Sequence, residues 1–259
     1  MSISRVRKYL MSCLSPISIF NNSDYVNLDS WDVKRKVSCG KCSYCQFTKQ
    51  TEYAIRGYYE FLECLKDNGY VYWDTLTYDD AKGLPYAYGI PCFRKKDVQD
   101  FIRYLRLDLK RNYGFDDGSF RYLVVSEYGD QFGRPHYHIM FFVHDPCLTL
   151  ELLHSKILEH WRSRHGNTDF HNEPSGRVLT SQAAIYYVTK YLGKLDVRLD
   201  NLYKKLNGKI VDDGGSPLSK RVFNEFFQTW QLHSLGFGSY LLDCPDQQSN
   251  IANLLHLGK

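Results

Sequence analysis

The sequence has no stretch long and apolar enough to cross a membrane. No apolar run approaches the ~18 residues that a transmembrane helix requires, and no apolar segment follows the basic residues Arg5, Arg7 and Lys8 as it would in a secretory signal peptide. Internal repeats and low-complexity tracts are also missing from the sequence. We therefore expect an unsecreted protein that has no membrane partner.

A strong charge of one sign is missing too. The 33 Lys and Arg residues exceed the 29 Asp and Glu residues by only four, so bulk charge does not indicate nucleic acid as a partner. The 21 tyrosines and 15 phenylalanines suit base stacking, but they suit a well-packed sheet equally. Composition alone leaves the partner open.

The eight cysteines are too few for a disulfide scaffold, but three of them lie together as Cys39, Cys42 and Cys45. This clustering suggests a metal site in a reducing compartment. Three thiolates leave a tetrahedral Zn²⁺ site one ligand short, and we expect Cys13, in the N-terminal arm, to be the fourth ligand. An iron–sulfur cluster is the second hypothesis, and a free, reactive cysteine knuckle is the third.

Hydrophobic periodicity predicts an α+β fold with a mainly antiparallel sheet flanked by helices. Residues 1–68 should comprise an irregular N-terminal arm (1–38), the Cys-rich knuckle and a helix, and residues 69–259 a catalytic core with a C-terminal helical segment, all in one compact unit. The predicted strands are 70–78, 121–128, 135–143 and a short one at 168–171. The predicted helices are 47–66, 95–113, 148–164, 181–195 and 217–234.

A pair of histidines lies in the second strand of the predicted hairpin. Side-chain alternation places His136 and His138 on one face, and pairing across a turn near residues 131 and 132 places Glu127 opposite His136. Two imidazoles and a carboxylate with open positions suit Mg²⁺ or Mn²⁺ acting on a phosphate, although Zn²⁺ is also compatible. The two histidines alone are equally compatible with ordinary surface or core positions.

Two tyrosines recur one turn apart on the predicted helix 181–195. Tyr187 and Tyr191 share a face with Lys194 and, more loosely, with Lys190. A tyrosine attacks a phosphodiester as phenolate, and neighbouring lysines favour that form and can hold the phosphate. Without a metal site nearby, the same tyrosines could simply be packing residues.

These motifs together resemble the HUH endonucleases, specifically the replication initiators of gokushovirus-like microviruses, which are small single-stranded DNA phages. The resemblance covers most of residues 13–240 and follows the family's order. Asp74 departs from the pattern, because the family usually has an apolar residue there. The matching segments are 38–45 (SCGKCSYC), 75–80 (TLTYDD), 127–129 (EYG), 133–138 (GRPHYH), 187–194 (YVTKYLGK) and 236–238 (GFG).

The resemblance implies an HUH fold of the ferredoxin or RRM-like type, metal ligands at His136 and His138, and nucleophiles at Tyr187 and Tyr191. It also implies that the protein nicks viral DNA at the origin and leaves a 5′-phosphotyrosyl link and a free 3′-hydroxyl. Rejoining the displaced strand into a circle completes rolling-circle replication. The expected partners are single-stranded and replicative-form viral DNA and the host helicase and polymerase, in the bacterial cytoplasm.

Two other functions fit part of the sequence. A zinc-stabilised DNA-binding regulator without catalysis explains the cysteines but leaves Glu127, His136, His138 and the tyrosine pair unexplained. A metalloenzyme that activates water is the other hypothesis. The sequence lacks the additional His and Asp ligands of a His-x-His-x-Asp-His site and lacks the motif pairing of zinc deaminases.

Overall fold

The computed structural model describes residues 13–20, 34–40, 42–129, 133–166, 168, 178–180, 185, 201–204, 211 and 219–242. In chain order its helices and strands are β1 (Ile17–Phe20), β2 (Lys34–Val37), α1 (Ser43–Lys66), β3 (Tyr70–Thr77), β4 (Tyr86–Ala87), β5 (Ile90–Pro91), α2 (Lys95–Tyr113), β6 (Phe120–Tyr128), β7 (Pro135–Val143), α3 (Leu150–Ile157), α4 (Lys220–Phe227) and β8 (Gln231–His233). A π-helical segment, Leu158–Arg162, continues α3.

The centre of the fold is a four-stranded antiparallel sheet in the order β3-β7-β6-β8. Thr168 and Val178 form single bridges to Leu76 and Tyr72 at the outer edge of β3. The expected α+β class with a mainly antiparallel sheet is therefore confirmed. Within the described residues, no helix combines the length and the apolar character needed to cross a membrane.

The two faces of the sheet bury different helices because side chains alternate along each strand. In β7, Tyr137, Ile139 and Phe141 pack into a cluster with α2 and α3. Met140 and Phe142 project from the opposite face and pack against Phe61 and Cys64 of α1. His136 and His138 share the alternation of Met140 and Phe142, so they lie on the α1 face.

Several predicted elements are confirmed, with small shifts. The hairpin strands appear as β6 and β7, and the helix predicted at 95–113 appears as α2 with the same bounds. The helix predicted from residue 47 already begins at Ser43, directly after the cysteine knuckle. Of the predicted strand 168–171, Thr168 forms a bridge, and residues 169–171 lie outside the described part.

Two predictions were wrong. The arm 1–38 is not irregular throughout, because β1 and β2 pair as an antiparallel ladder with Ile17 opposite Val37. The final helix does not reach residue 234: α4 ends at Phe227, and β8 pairs with residues 123–125 of β6. This pairing satisfies backbone groups on the edge of β6, a long-range gain that local periodicity does not report.

Candidate metal centres

The end of the sheet where β6 stops and β7 begins carries the predicted acidic and imidazole set. Glu127 lies directly opposite His136 in the antiparallel ladder, so the predicted register of the hairpin is confirmed. His138 lies opposite Thr75 of the neighbouring strand β3. The central position of β7 between β6 and β3 thus brings three strands to one place.

The donor atoms of this set converge. One oxygen of Glu127, Oε2, lies 3.0 Å from Nε2 of His138 and 3.5 Å from Nε2 of His136. The three donor atoms all lie within 4.8 Å of one another. Adjacent ligands around an octahedral cation at 2.0–2.1 Å lie about 3 Å apart, so the spacing fits a divalent cation bound by one face of its shell.

The far side of each imidazole is held by a hydrogen-bond partner. Nδ1 of His138 lies 3.1 Å from Oγ1 of Thr75, and Nδ1 of His136 lies 3.3 Å from the carbonyl oxygen of Arg134. If both Nδ1 atoms carry the proton and donate it to these oxygens, both Nε2 lone pairs are available to a cation. Glu127 and His138 are almost buried and His136 is half-buried, so the set is accessible from one side.

The side chain of Arg134 braces the chain beside the site. Its guanidinium donates to the carbonyl oxygen of Tyr78 at 2.8 Å and pairs with Asp80 at 2.8 Å. Arg134 and Thr75 belong to the motifs quoted above, but sequence analysis gave neither a role. Their contribution depends on the pairing of β3 with β7, which the hairpin pattern does not predict.

Asp74 lies on the other face of the sheet and takes no part in this set. It is fully buried, where its carboxylate accepts hydrogen bonds from the hydroxyl of Tyr72 at 3.2 Å and from the backbone N–H of Thr75 at 2.7 Å. A buried carboxylate requires such donors. The departure from the family pattern therefore changes the core rather than the acidic and imidazole set.

The four cysteines form a second convergent set. The Sγ–Sγ distances are 3.9 Å for Cys13 and Cys42, 3.9 Å for Cys39 and Cys45, and 3.5 Å for Cys42 and Cys45. Ligands on a tetrahedron with Zn–S bonds of about 2.3 Å lie about 3.8 Å apart. The expected convergence of Cys13 with the other three is therefore present, and the spacing fits one tetrahedral ion better than a larger multi-iron cluster.

Backbone amides support this cysteine set. The N–H of Cys39 donates to the sulfur of Cys13, and the N–H of Cys42 donates to the sulfur of Cys39, both at 3.3 Å. A hydrogen bond from the backbone of Cys45 lowers the pKa of Cys42 to about 6, whereas burial raises the pKa of Cys45 to about 12. The thiolate form that a metal requires is thus most accessible at Cys42.

A third cluster, made of Glu60, Glu63 and His144, also has the composition of a metal site. Here a cation of the protein is already present, because Arg121 donates to Glu60 at 2.9 Å and to Glu63 at 2.8 Å. His144 contacts Glu60 at 2.8 Å, and the N–H of Gly238 also donates to Glu60. The cluster is therefore an ion-pair network that ties α1 to β6, β7 and the 236–238 motif.

The predicted tyrosines and lysines, Tyr187, Tyr191, Lys190 and Lys194, lie outside the described residues. Ile185, from the same predicted helix, is described: it is helical and buried in the cluster on the α1 face of the sheet. It packs so closely on α1 that a Cβ placed on Gly57 would lie 2.8 Å from its Cγ2. Ile185 thus lies on the same face of the sheet as His136 and His138.

Comparison with known proteins gives a class first. Residues 71–196 match a family of phage replication proteins described under the name Replication-associated protein ORF2, and this segment contains Glu127, both histidines and both candidate tyrosines. The resemblance to microvirus-like replication proteins inferred from the motifs is therefore confirmed.

Individual relatives follow from the same comparison. The chain is 30% identical over 210 residues to Replication-associated protein ORF2 of Spiroplasma virus 4, which covers 73% of this chain and 63% of that protein. It is 29% identical over 203 residues to Replication-associated protein VP4 of Bdellovibrio phage phiMH2K, covering 71% and 58%. The chain thus spans about three fifths of the length of these relatives. No solved structure matches.

Proposed function

We propose that this protein is an HUH-type endonuclease that initiates rolling-circle replication of a phage genome by nicking single-stranded DNA through a tyrosine. The convergence of Glu127, His136 and His138 on one point is the observation that carries the proposal. The family and both relatives are named as replication-associated proteins, which supports the same role. The fold class, an antiparallel sheet with the histidine pair in its central strand β7, is compatible with it.

Glu127, His136 and His138 would hold Mg²⁺ or Mn²⁺ through one carboxylate oxygen and two Nε2 atoms. A cation bound there supplies Lewis-acid stabilisation of the charge that develops on the phosphate and on the leaving oxygen. Three protein ligands leave positions open for phosphate oxygens. Thr75 and the carbonyl oxygen of Arg134 keep both imidazoles in the required tautomer and orientation.

Tyr187 or Tyr191 acts as the nucleophile. Its phenolate oxygen forms a bond to phosphorus while the bond from phosphorus to the 3′-oxygen breaks, and the 3′-oxygen takes up a proton to become a free hydroxyl. Lys190 and Lys194 hold the phosphate or assist the proton transfer. Two tyrosines one turn apart allow a second cut while the first DNA end is still attached, and this second cut closes the displaced circle. The packing of Ile185 on the metal-bearing face supports this arrangement.

The cysteine set, Cys13, Cys39, Cys42 and Cys45, holds a structural Zn²⁺ ion in this proposal. Four sulfur ligands complete a tetrahedron and leave no position for a substrate, as is typical of structural zinc. The ion would join the N-terminal arm to the start of α1.

A cleavage assay tests the proposed activity. Overlapping single-stranded oligonucleotides that tile the replicon encoding this protein are incubated with the protein and Mn²⁺ and separated on denaturing gels. We expect one oligonucleotide to be nicked, and we expect folded His136→Ala and His138→Ala proteins to nick it at least about 10³-fold more slowly, because a metal contributes several kcal/mol. Undiminished nicking in EDTA contradicts the metal assignment, and binding without any cleavage favours the non-catalytic regulator.

A further inference from the structure

A short hairpin outside the metal site has an unfavourable turn. Strands β4 and β5 are joined by only two residues, Tyr88 and Gly89, and both have positive φ, 52° and 75°. Turns of this class favour Asn-Gly or Asp-Gly because most side chains resist positive φ. A tyrosine at the first position costs conformational energy that an asparagine would not, and such strain commonly marks a functional position.

The hairpin exposes its aromatic rings while its base is anchored. Tyr86 is 58% exposed and Tyr88 39% exposed. Ala87 is buried in a cluster with Phe223 and Phe227 of α4, so the strained tip stands on a packed support. Exposed tyrosines on a rigid support bind a flat partner at little cost in conformational entropy.

Positive charge surrounds the two rings. Arg94 and Lys95 are exposed directly after β5, and Lys220 and Arg221 are exposed at the start of α4, which packs against the hairpin. Basic residues at a helix start are unfavourable with respect to the helix dipole, so the isolated fold gains nothing from them there. Exposed rings interleaved with cations match the chemistry of single-stranded nucleic acid, whose bases stack and whose phosphates are anionic.

The hairpin adjoins the end of the sheet that carries the metal set. Tyr128 directly follows Glu127 in β6, and its ring lies 4.3 Å from the ring of Phe93, which follows the hairpin. Tyr128 also packs against the cluster at the hairpin base. A strand leaving the metal set across this end of the sheet therefore meets the hairpin.

We propose that the β4–β5 hairpin is a stacking platform for single-stranded DNA next to the nick site. Tyr86 and Tyr88 stack on bases, and Arg94, Lys95, Lys220 and Arg221 contact phosphates. The platform rests on the proposed function, because it assumes that the substrate of the metal set is a single strand.

Binding without cleavage tests the platform. The fluorescence anisotropy of labelled 30-nucleotide oligothymidylate is measured in EDTA at fixed salt for the wild type, Tyr86→Ala, Tyr88→Asn and Tyr88→Phe. We expect Tyr86→Ala and Tyr88→Asn each to weaken binding at least about 5-fold, the lower limit for losing one stacked base. Tyr88→Phe keeps the ring and should bind like wild type. Tyr88→Asn also relieves the turn, so weaker binding accompanied by an unchanged or raised melting temperature excludes misfolding as its cause.

The control is Tyr113→Ala, an exposed tyrosine at the other end of α2, about 27 Å along that helix from Lys95. It should bind normally. Wild-type affinity in both hairpin variants overturns the platform, and so does an equal loss for a duplex of the same length, because duplex bases are not free to stack. If the wild type nicks DNA but hairpin variants bind normally, only the platform fails. If the wild type binds no single strand, the proposed function fails with it.

Discussion

The two convergent donor sets differ in how their atoms are supplied. Glu127, His136 and His138 come from adjacent strands of a sheet, present three donors and are accessible from one side. The cysteine set presents four sulfurs about 3.5–3.9 Å apart, from an arm and a helix start. A three-donor set leaves room for substrate and a four-donor set does not, so the difference indicates chemistry at one centre and structure at the other.

The third cluster sharpens this comparison. Glu60, Glu63 and His144 have the composition of a metal set, yet Arg121 supplies the positive charge. Composition and proximity therefore do not define a metal centre. The decisive feature is whether the donor lone pairs face an open position or a cation of the protein.

The largest expected effect is at the cysteine centre. We expect Cys45→Ala to lower zinc affinity by at least about 10³-fold, because structural zinc in small domains is bound with about 10–16 kcal/mol and the variant keeps only three ligands. Zinc per chain, measured by mass spectrometry after dialysis, should fall from one to near zero. Cys147→Ala removes an exposed cysteine that lies outside the set, and it should keep the ion. Equal zinc in both variants, or none in the wild type, contradicts the closed centre.

A smaller loss is expected in the ion-pair network. Glu60 is fully buried, so Glu60→Gln leaves Arg121 and His144 with a weaker partner, and we expect it to lower the free energy of unfolding by about 3 kcal/mol. Glu63→Gln is the matched control because its carboxylate is partly exposed, and it should cost less than about 1 kcal/mol. Urea denaturation measures both. Equal effects from the two changes would refute the importance of burial.

Loss of one supporting hydrogen bond should be weaker than loss of a ligand. Thr75→Val keeps the shape of the side chain but removes the oxygen that faces Nδ1 of His138, so we expect the affinity for Mn²⁺ to fall about 10–100-fold. Calorimetric titration of the metal measures the change. Thr48→Val, which removes only a bond to a carbonyl oxygen within α1, should bind Mn²⁺ normally. Unchanged affinity in Thr75→Val would remove the supporting role.

The smallest effect is a dependence of stability on pH. Burial alone lowers the pKa of His144, but its hydrogen bonds to Glu60 and Asp67 outweigh burial and raise it above the ordinary value. Burial alone raises the pKa of Glu60, but hydrogen bonds from His144 and Gly238 and the charge of Arg121 lower it below the ordinary value.

The two shifts act at opposite ends of the pH range. The stabilisation from His144 is complete below its ordinary pKa of about 6.5 and is lost as pH rises through the raised pKa, whereas that from Glu60 is lost as pH falls through the lowered one. We expect the melting temperature to decline above neutral pH, and this decline to be absent in His144→Asn. The same decline in both proteins would assign it to other groups.

The sequence predicts what depends on local pattern. The register of Glu127 with His136 follows from alternation and the length of one turn, and α2 follows from the spacing of its apolar residues. The role of Thr75 and the strand β8 do not follow, because both depend on pairing between distant segments. The strained turn at Tyr88 also went unpredicted, since tyrosine there opposes the usual turn preference.

Mapping the DNA-linked residue tests the central claim most directly. The nicked oligonucleotide, the protein and Mn²⁺ are taken through several turnovers, digested with protease and nuclease, and analysed for phosphotyrosyl peptides by mass spectrometry. The proposed mechanism predicts nucleotide adducts on both Tyr187 and Tyr191, and none in the His138→Ala protein. Cut DNA without any adduct contradicts the tyrosine mechanism. Adducts on one tyrosine alone, with circle release intact when the other is changed to Phe, contradict the use of both.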